Sequence, residues 1–274
     1  MDALGKEQRL IAWLGQAGSV LVGYSGGVDS AYLACVAVEA LGSDRVLAVI
    51  GRSASYPDSQ WSTALSVANQ FAIPVLVINT DEVTDPRYAA NPTNRCYYCK
   101  TELWDKLAPI ARERNAVLVD GTNADDLGED RPGAVAGKEH RVESPLAAVG
   151  LTKAEIRERS RERGIPTWNQ PSAPCLASRI PHGTPVTVGR LRSVERAESG
   201  LRAIGVEGNL RVRHHGDAAR VELDRDQLER WLTPINRAAL EAAVRHAGYM
   251  TVIIDPTGYR TGGADAPHAA LSRA

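Results

Sequence analysis

Through the first 165 residues the chain alternates short, continuously apolar runs with longer stretches of helical period. Val20-Leu21-Val22-Gly23-Tyr24 and residues 45–50, 74–78 and 116–120 read as strands, and residues 9–14, 29–41, 59–71 and 99–114 as helices. Strands that are apolar at successive positions, not at every second one, belong to parallel sheets covered on both faces. The pattern predicts a doubly wound α/β domain.

Asn169-Gln170-Pro171-Ser172-Ala173-Pro174 interrupts this pattern and reads as a linker. Beyond it, a helix at 188–204, alternating strands at 210–214 and 219–223, helices at 226–231 and 236–246 and a strand at 250–254 make a smaller α+β domain. The expected boundaries are 1–170 for the α/β domain and 171–260 for the C-terminal domain, followed by a mobile tail at 261–274.

Composition narrows the function. With 43% hydrophobic and 24% charged side chains in 274 residues, the chain has a globular balance. A formal net charge of -1 lacks the positive field that holds nucleic acid, so no nucleic-acid partner is expected. The first 15 residues mix charges into an amphipathic pattern instead of a signal core, and no run approaches the ~20 apolar residues of a membrane span. A cytoplasmic protein without membrane contact is expected. Four cysteines, two of them spaced C-x-x-C, suit metal, cluster or redox chemistry better than a disulfide framework.

Tyr24-Ser25-Gly26-Gly27-Val28-Asp29-Ser30 stands at the first strand-to-helix junction. Backbone N–H groups at such a helix start bind an anion; the paired glycines let phosphate approach, and Ser25 and Ser30 add hydroxyls. Asp29 would repel a bare phosphate, which implies a bridging magnesium ion. No lysine follows as in a Walker loop, and the dinucleotide pattern G-x-G-x-x-G is absent. The plainer reading is a Gly-Gly turn capped by Asp29 and Ser30. Gly121-Thr122-Asn123-Ala124-Asp125-Asp126 follows the strand at 116–120 and so falls at the carboxyl edge of the sheet. Gly121 is a candidate nucleotide contact and Asp125 or Asp126 a candidate for the magnesium site; a solvated Asn-Asp turn is the alternative.

Cys35 falls inside a helix and reads as packing. Cys96 and Cys99 lie at a helix start between Arg95 and Lys100, where the dipole and both cations favour thiolates. Cys175 stands in a proline-broken loop close to Arg179. Three thiolates leave tetrahedral zinc one ligand short and suit a 4Fe-4S cluster with one open iron; His182 or Asp125 as a fourth ligand would make zinc the occupant instead.

In order along the chain, S-G-G-x-D-S, Asn94-Arg95-Cys96-Tyr97-Tyr98-Cys99-Lys100, Gly121 to Asp126, Pro174-Cys175-Leu176-Ala177-Ser178-Arg179, Arg211 to Asp217 and Gly258-Tyr259-Arg260 resemble the LarE family. These are sulfur transferases of nickel-pincer nucleotide synthesis within the ATP pyrophosphatase superfamily, and the likeness covers nearly the whole chain. The resemblance implies that ATP, with Mg2+, adenylylates the carboxylate of a pyridinium dicarboxylate mononucleotide, and that sulfur then displaces AMP to leave a thiocarboxylate. It implies Ser25, Gly26, Gly27, Asp29 and Ser30 at the departing pyrophosphate, with Asp29 on magnesium, and Ser53, beside Ser55, near adenine. Cys175 would yield its own sulfur or join Cys96 and Cys99 in holding a 4Fe-4S cluster that carries a transferable sulfide; three cysteines favour the cluster. Arg179 would offset charge at the reacting phosphate. Arg211 and Arg213, alternating along one strand, would grip the substrate phosphate with Glu222 facing the same site, against the alternative of a solvated strand face. A homo-oligomer, hexameric in this family, and a sulfide donor are the implied partners.

Competing readings are a tRNA-thiolating enzyme, a non-catalytic ATP sensor and an ammonia- or glutamine-using synthetase. The net charge opposes the first, and the last two leave three cysteines unexplained.

Overall fold

The computed structural model describes residues 1–128, 132–260 and 262–265. They form two compact units, one from 1–82 with 94–173 and one from 83–93 with 174 onward. Of the expected mobile tail, 261 and 266–274 lie outside the described residues, and Gly263–Asp265 form a 3-10 turn.

The first unit runs α1 (Ala3–Ala17), β1 (Val20–Gly23), α2 (Val28–Leu41), β2 (Val46–Arg52), α3 (Asp58–Gln70) and β3 (Val75–Asn79). After an excursion into the second unit that carries α4 (Pro86–Ala89), it resumes with α5 (Arg95–Glu113), β4 (Val117–Val119), α6 (Pro132–Glu139), α7 (Pro145–Ala148) and α8 (Lys153–Glu162). All four strands are parallel, in the order β3-β2-β1-β4. Neighbouring side chains on a strand point to opposite faces. Val20, Val22, Ala48 and Ile50 accordingly pack in the cluster that holds Leu33 and Val36 of α2, whereas Leu21 and Val49 pack with Trp104 and Leu107 of α5. Both faces are covered, which is why the strands are apolar without alternation. The doubly wound α/β architecture is therefore present, with the end of β1 flanked on both sides by neighbouring strands.

The helix α8, KAEIRERSRE, has no apolar stripe, and only Ile156 and Ser160 are buried. Its start is nevertheless encoded, because Thr152 and Glu155 form a capping box. Its arginines are used inside the unit. Arg159 and Arg163 donate to Glu7 of α1 at 2.8 and 2.9 Å, and the Tyr32 hydroxyl donates to the same carboxylate at 2.7 Å. Burial alone would raise the Glu7 pKa; hydrogen bonds from Arg163, Arg159 and Tyr32 outweigh it and hold it down at about 2. A carboxylate depressed in the folded state stabilises the protein fully above its ordinary value of 4.5, and that contribution is lost as pH falls through about 2. Glu7→Gln removes the buried carboxylate shared by two guanidiniums, leaving them their exposed partners Glu162 and Glu39, and is expected to cost about 3 kcal/mol in urea unfolding at pH 7, with the difference from the parent shrinking on acidification.

In the second unit α9 (Val188–Ala203) precedes an antiparallel hairpin, β5 (Leu210–His215) and β6 (Ala218–Leu223). After α10 (Arg225–Trp231) and α11 (Pro234–His246), β7 (Thr251–Ile254) returns parallel to β6. Leu210, Val212, Ala219, Val221 and Leu223 form one face and pack in a cluster with Leu201, Leu240 and Val244. The other face corrects the picture of a solvated polar side. Register puts Arg211 opposite Glu222 and Arg213 opposite Arg220, and all four are buried. Alternation here separates an apolar layer from a buried ionic layer.

Candidate functional site

The turn from β1 into α2 is shaped by glycine. Gly26 has φ +69, and a Cβ there would lie 2.4 Å from the Ala64 Cβ, so a larger residue is opposed by both conformation and packing. Gly27 caps α2 without a side-chain hydrogen bond, which leaves first-turn N–H groups suited to an anion. The Ser30 hydroxyl accepts from the Ser25 N–H at 3.2 Å and donates to the Gly27 carbonyl at 3.2 Å. From α3 and the turn before it, Gln60 Nε2 and the Tyr56 hydroxyl donate to the Ser25 carbonyl at 3.0 and 2.9 Å. The loop is thus braced from behind.

Two segments, the loop after β4 and the start of α8, converge on Asp29. Its carboxylate receives Asn123 Nδ2 at 3.5 Å and pairs closely with Lys153 Nζ. The Lys153 N–H donates to Asp125 Oδ2 at 2.8 Å, and Asp126 Oδ2 accepts from the Asn123 N–H at 3.1 Å. Gly121 lies against the loop itself: a Cβ on it would come within 2.9 Å of the Ser30 nitrogen. Asp125 therefore caps the start of α8, while Asp29 is the carboxylate at the glycine turn. Lys153 is a site residue that the apolar pattern does not reveal; the T-x-x-E capping box that begins its helix is the available signal.

Ser53 and Ser55, past the end of β2, both donate to Glu82 Oε1 at 2.6 Å.

Cys96 and Cys99 fall in the first two turns of α5, which begins at Arg95 and so earlier than the predicted residue 99. At i and i+3 they share one helix face. Cys175 caps the 3-10 turn Leu176–Arg179 in the second unit. None of the cysteines is in a disulfide, and burial pushes the Cys35 thiol up to about 12. Cys96 is exposed, Cys99 and Cys175 are partly exposed, and Cys35 is buried in the core. Among the described residues no three His, Cys, Asp or Glu side chains stand together as a metal site. The two suggested zinc partners are engaged elsewhere, Asp125 with the Lys153 N–H and His182 Nδ1 with Asp265 Oδ2 at 2.6 Å.

Arg179 is buried and its donors are committed. It forms a two-point pair with Glu198 at 2.9 and 3.0 Å and donates to the Pro174 and Cys175 carbonyls at 2.6 and 3.1 Å. It fixes the backbone of the Cys175 loop. Arg213 pairs with Glu222 at 2.8 Å, Arg220 with the same carboxylate at 3.1 Å, and Arg211 lies over the Tyr259 ring at 5.1 Å. The buried guanidiniums of Arg179, Arg213 and Arg220 pair with the carboxylates of Glu198, Glu222 and Asp255, and Arg211 is buried beside them. Burial, then the neighbouring Arg179 charge, pushes Arg211 down to about 10, with Glu198 acting in the opposite sense.

Residues 12–124 match the NAD synthase family model. The chain is 38% identical over 258 residues to an uncharacterized protein of Synechocystis sp., covering 94% of this chain and 96% of that one. It is 31% identical over 258 residues to the pyridinium-3,5-bisthiocarboxylic acid mononucleotide synthase of Lactiplantibacillus plantarum, covering 94% and 92%. A match to an NH(3)-dependent NAD(+) synthetase of Methanococcus aeolicus, 30% identical over 164 residues, covers 54% of this chain and 60% of that one. Coverage separates the two kinds of relative: the chain belongs to the LarE family of ATP-using sulfur transferases, within the pyrophosphate-loop superfamily.

Proposed function

We propose that this protein adenylylates the carboxylate of a pyridinium dicarboxylate mononucleotide and converts it to a thiocarboxylate. The observation that carries the reading is the braced glycine turn, with Asp29 and Lys153 at its edge. First-turn N–H groups, Ser25 and Ser30 hold the β and γ phosphates; Asp29 holds magnesium, and Lys153 offsets charge on the phosphates. The nucleotide's ribose and base extend toward Ser53, and Gly121 keeps the exit of β4 close to the loop. A carboxylate oxygen attacks the α phosphorus and pyrophosphate leaves. Sulfur then attacks the acyl carbon, and AMP departs with the former carboxylate oxygen.

Arg211 and Arg213 bind the phosphate of the mononucleotide, an assignment supported by their place on one buried face of β5. Arg179 contributes by holding the Cys175 loop. Cys96, Cys99 and Cys175 would hold a 4Fe-4S cluster, which supplies a transferable sulfide when bound. A homo-oligomer and an external sulfide donor complete the proposal. Incubation of the anaerobically purified protein with ATP, magnesium and the mononucleotide is expected to yield pyrophosphate and AMP; ADP and orthophosphate as the products would overturn it.

A further inference from the structure

Gln170 stands at the head of the linker, five residues before Cys175, and still belongs to the first unit. Its Nε2 donates to Gln60 Oε1 at 3.2 Å, and Gln60, only 4% exposed, donates from its own Nε2 to the Ser25 carbonyl at 3.0 Å. The helix α8 sets the place of Gln170, because Arg157 donates to the Trp168 and Gln170 carbonyls at 2.7 and 2.8 Å. One helical turn earlier, the same helix puts Lys153 at Asp29.

Hydrogen-bond chemistry fixes the direction of this relay. A carbonyl only accepts, so the Gln60 amide turns its NH2 to Ser25 and its oxygen to Gln170, which therefore donates. Reversed, the Gln60 amide would set one oxygen against another. The Ser25 carbonyl matters because a trans peptide points its C=O and the following N–H in opposite directions. With Gln60 and the Tyr56 hydroxyl holding that oxygen toward α3, the Gly26 N–H is turned away from α3. Gly26, at φ +69, has the conformational freedom to take the opposite peptide orientation, so the turn depends on these donors to keep this one.

We propose that Gln170 is a positioning residue of the pyrophosphate turn: by donating to Gln60 it fixes which end of that amide meets Ser25, and so directs the Gly26 N–H to the anion. The inference rests on the reading of the Ser25–Ser30 turn as the triphosphate site. The linker that leads to Cys175 thereby bears on the first chemical step as well.

The test titrates magnesium pyrophosphate and magnesium ATP by calorimetry into the full chain and its variants, with thermal melts alongside. Gln170→Met keeps the side-chain length without the donor and is expected to weaken both ligands roughly two- to tenfold, the range for one hydrogen bond. Gln170→Glu sets an acceptor against Gln60 Oε1 and favours the reversed amide, so both ligands are expected to bind roughly ten- to a hundredfold more weakly. In a Gln60→Met background neither substitution is expected to have a further effect, because Gln170 acts only through Gln60. Should Gln170→Glu fail to fold, Gln170→Met carries the same comparison. Affinities within about twofold of the parent would overturn the role of Gln170 while leaving the triphosphate site standing. So would equal losses with and without Gln60, or a lowered melting temperature at unchanged affinity, the mark of a purely structural side chain. Binding of neither ligand by the parent would remove the triphosphate site and this inference with it.

Discussion

Cys175→Ala, supplied with ATP, magnesium and the mononucleotide, is expected to form the acyl adenylate and no detectable thiocarboxylate. Cys175 is partly exposed and only caps a short 3-10 turn, so losing one sulfur atom opens no core cavity. Its loop is held by other atoms. Arg179 grips the Pro174 and Cys175 carbonyls, which alanine retains, and is itself fixed by Glu198. The glycine turn proposed for the first step belongs to the other unit. Mass spectrometry of the quenched mixture separates the two steps, with adenylate formation expected within a few-fold of the parent. If adenylylation also disappears in a variant of unchanged thermal stability, the proposed division of labour is wrong.

Asp29→Asn is expected to lower pyrophosphate release by about a thousandfold, the order seen when a preorganised charge is removed from a transition state. The amide preserves size but cannot neutralise magnesium, replaces one of the two acceptor oxygens with a donor, and leaves the Lys153 ammonium without its carboxylate. Little of the effect should come from unfolding, because Lys153 is about one-third exposed and a pair of that kind contributes about 0–1 kcal/mol. Single-turnover pyrophosphate release alongside thermal melts resolves the two effects. A decline of less than about tenfold, with magnesium dependence retained, would remove Asp29 from the centre of the chemistry.

Much of this arrangement could be read from the chain. The apolar runs identified the parallel strands because both faces of that sheet are covered, and S-G-G-x-D-S located the turn because backbone conformation there demands glycine. What escaped was built from polar residues. In α8 the charged face is satisfied internally by Glu7, far away in sequence, so no apolar stripe marks the helix and Lys153 stays hidden. Arg211 and Arg213 alternate with apolar neighbours in a way that a solvated strand would share; their burial depends on carboxylates from other elements, Glu222 of β6 paired with Arg213 and Glu198 of α9 near Arg211. The segment 83–93 packs in the second unit although its flanks belong to the first. Asn91, at φ +57, donates its side-chain amide to the Pro181 and Thr184 carbonyls at 2.8 and 2.9 Å, a pairing across some ninety residues that no local pattern announces.

The central claim is that a carboxylate oxygen of the substrate becomes bonded to the α phosphorus of ATP. Mononucleotide labelled with oxygen-18 in its carboxylates tests this directly, with AMP recovered after one turnover and weighed by mass spectrometry. AMP carrying a single heavy oxygen is the expected result, and AMP without label, formed alongside thiocarboxylate, would contradict it.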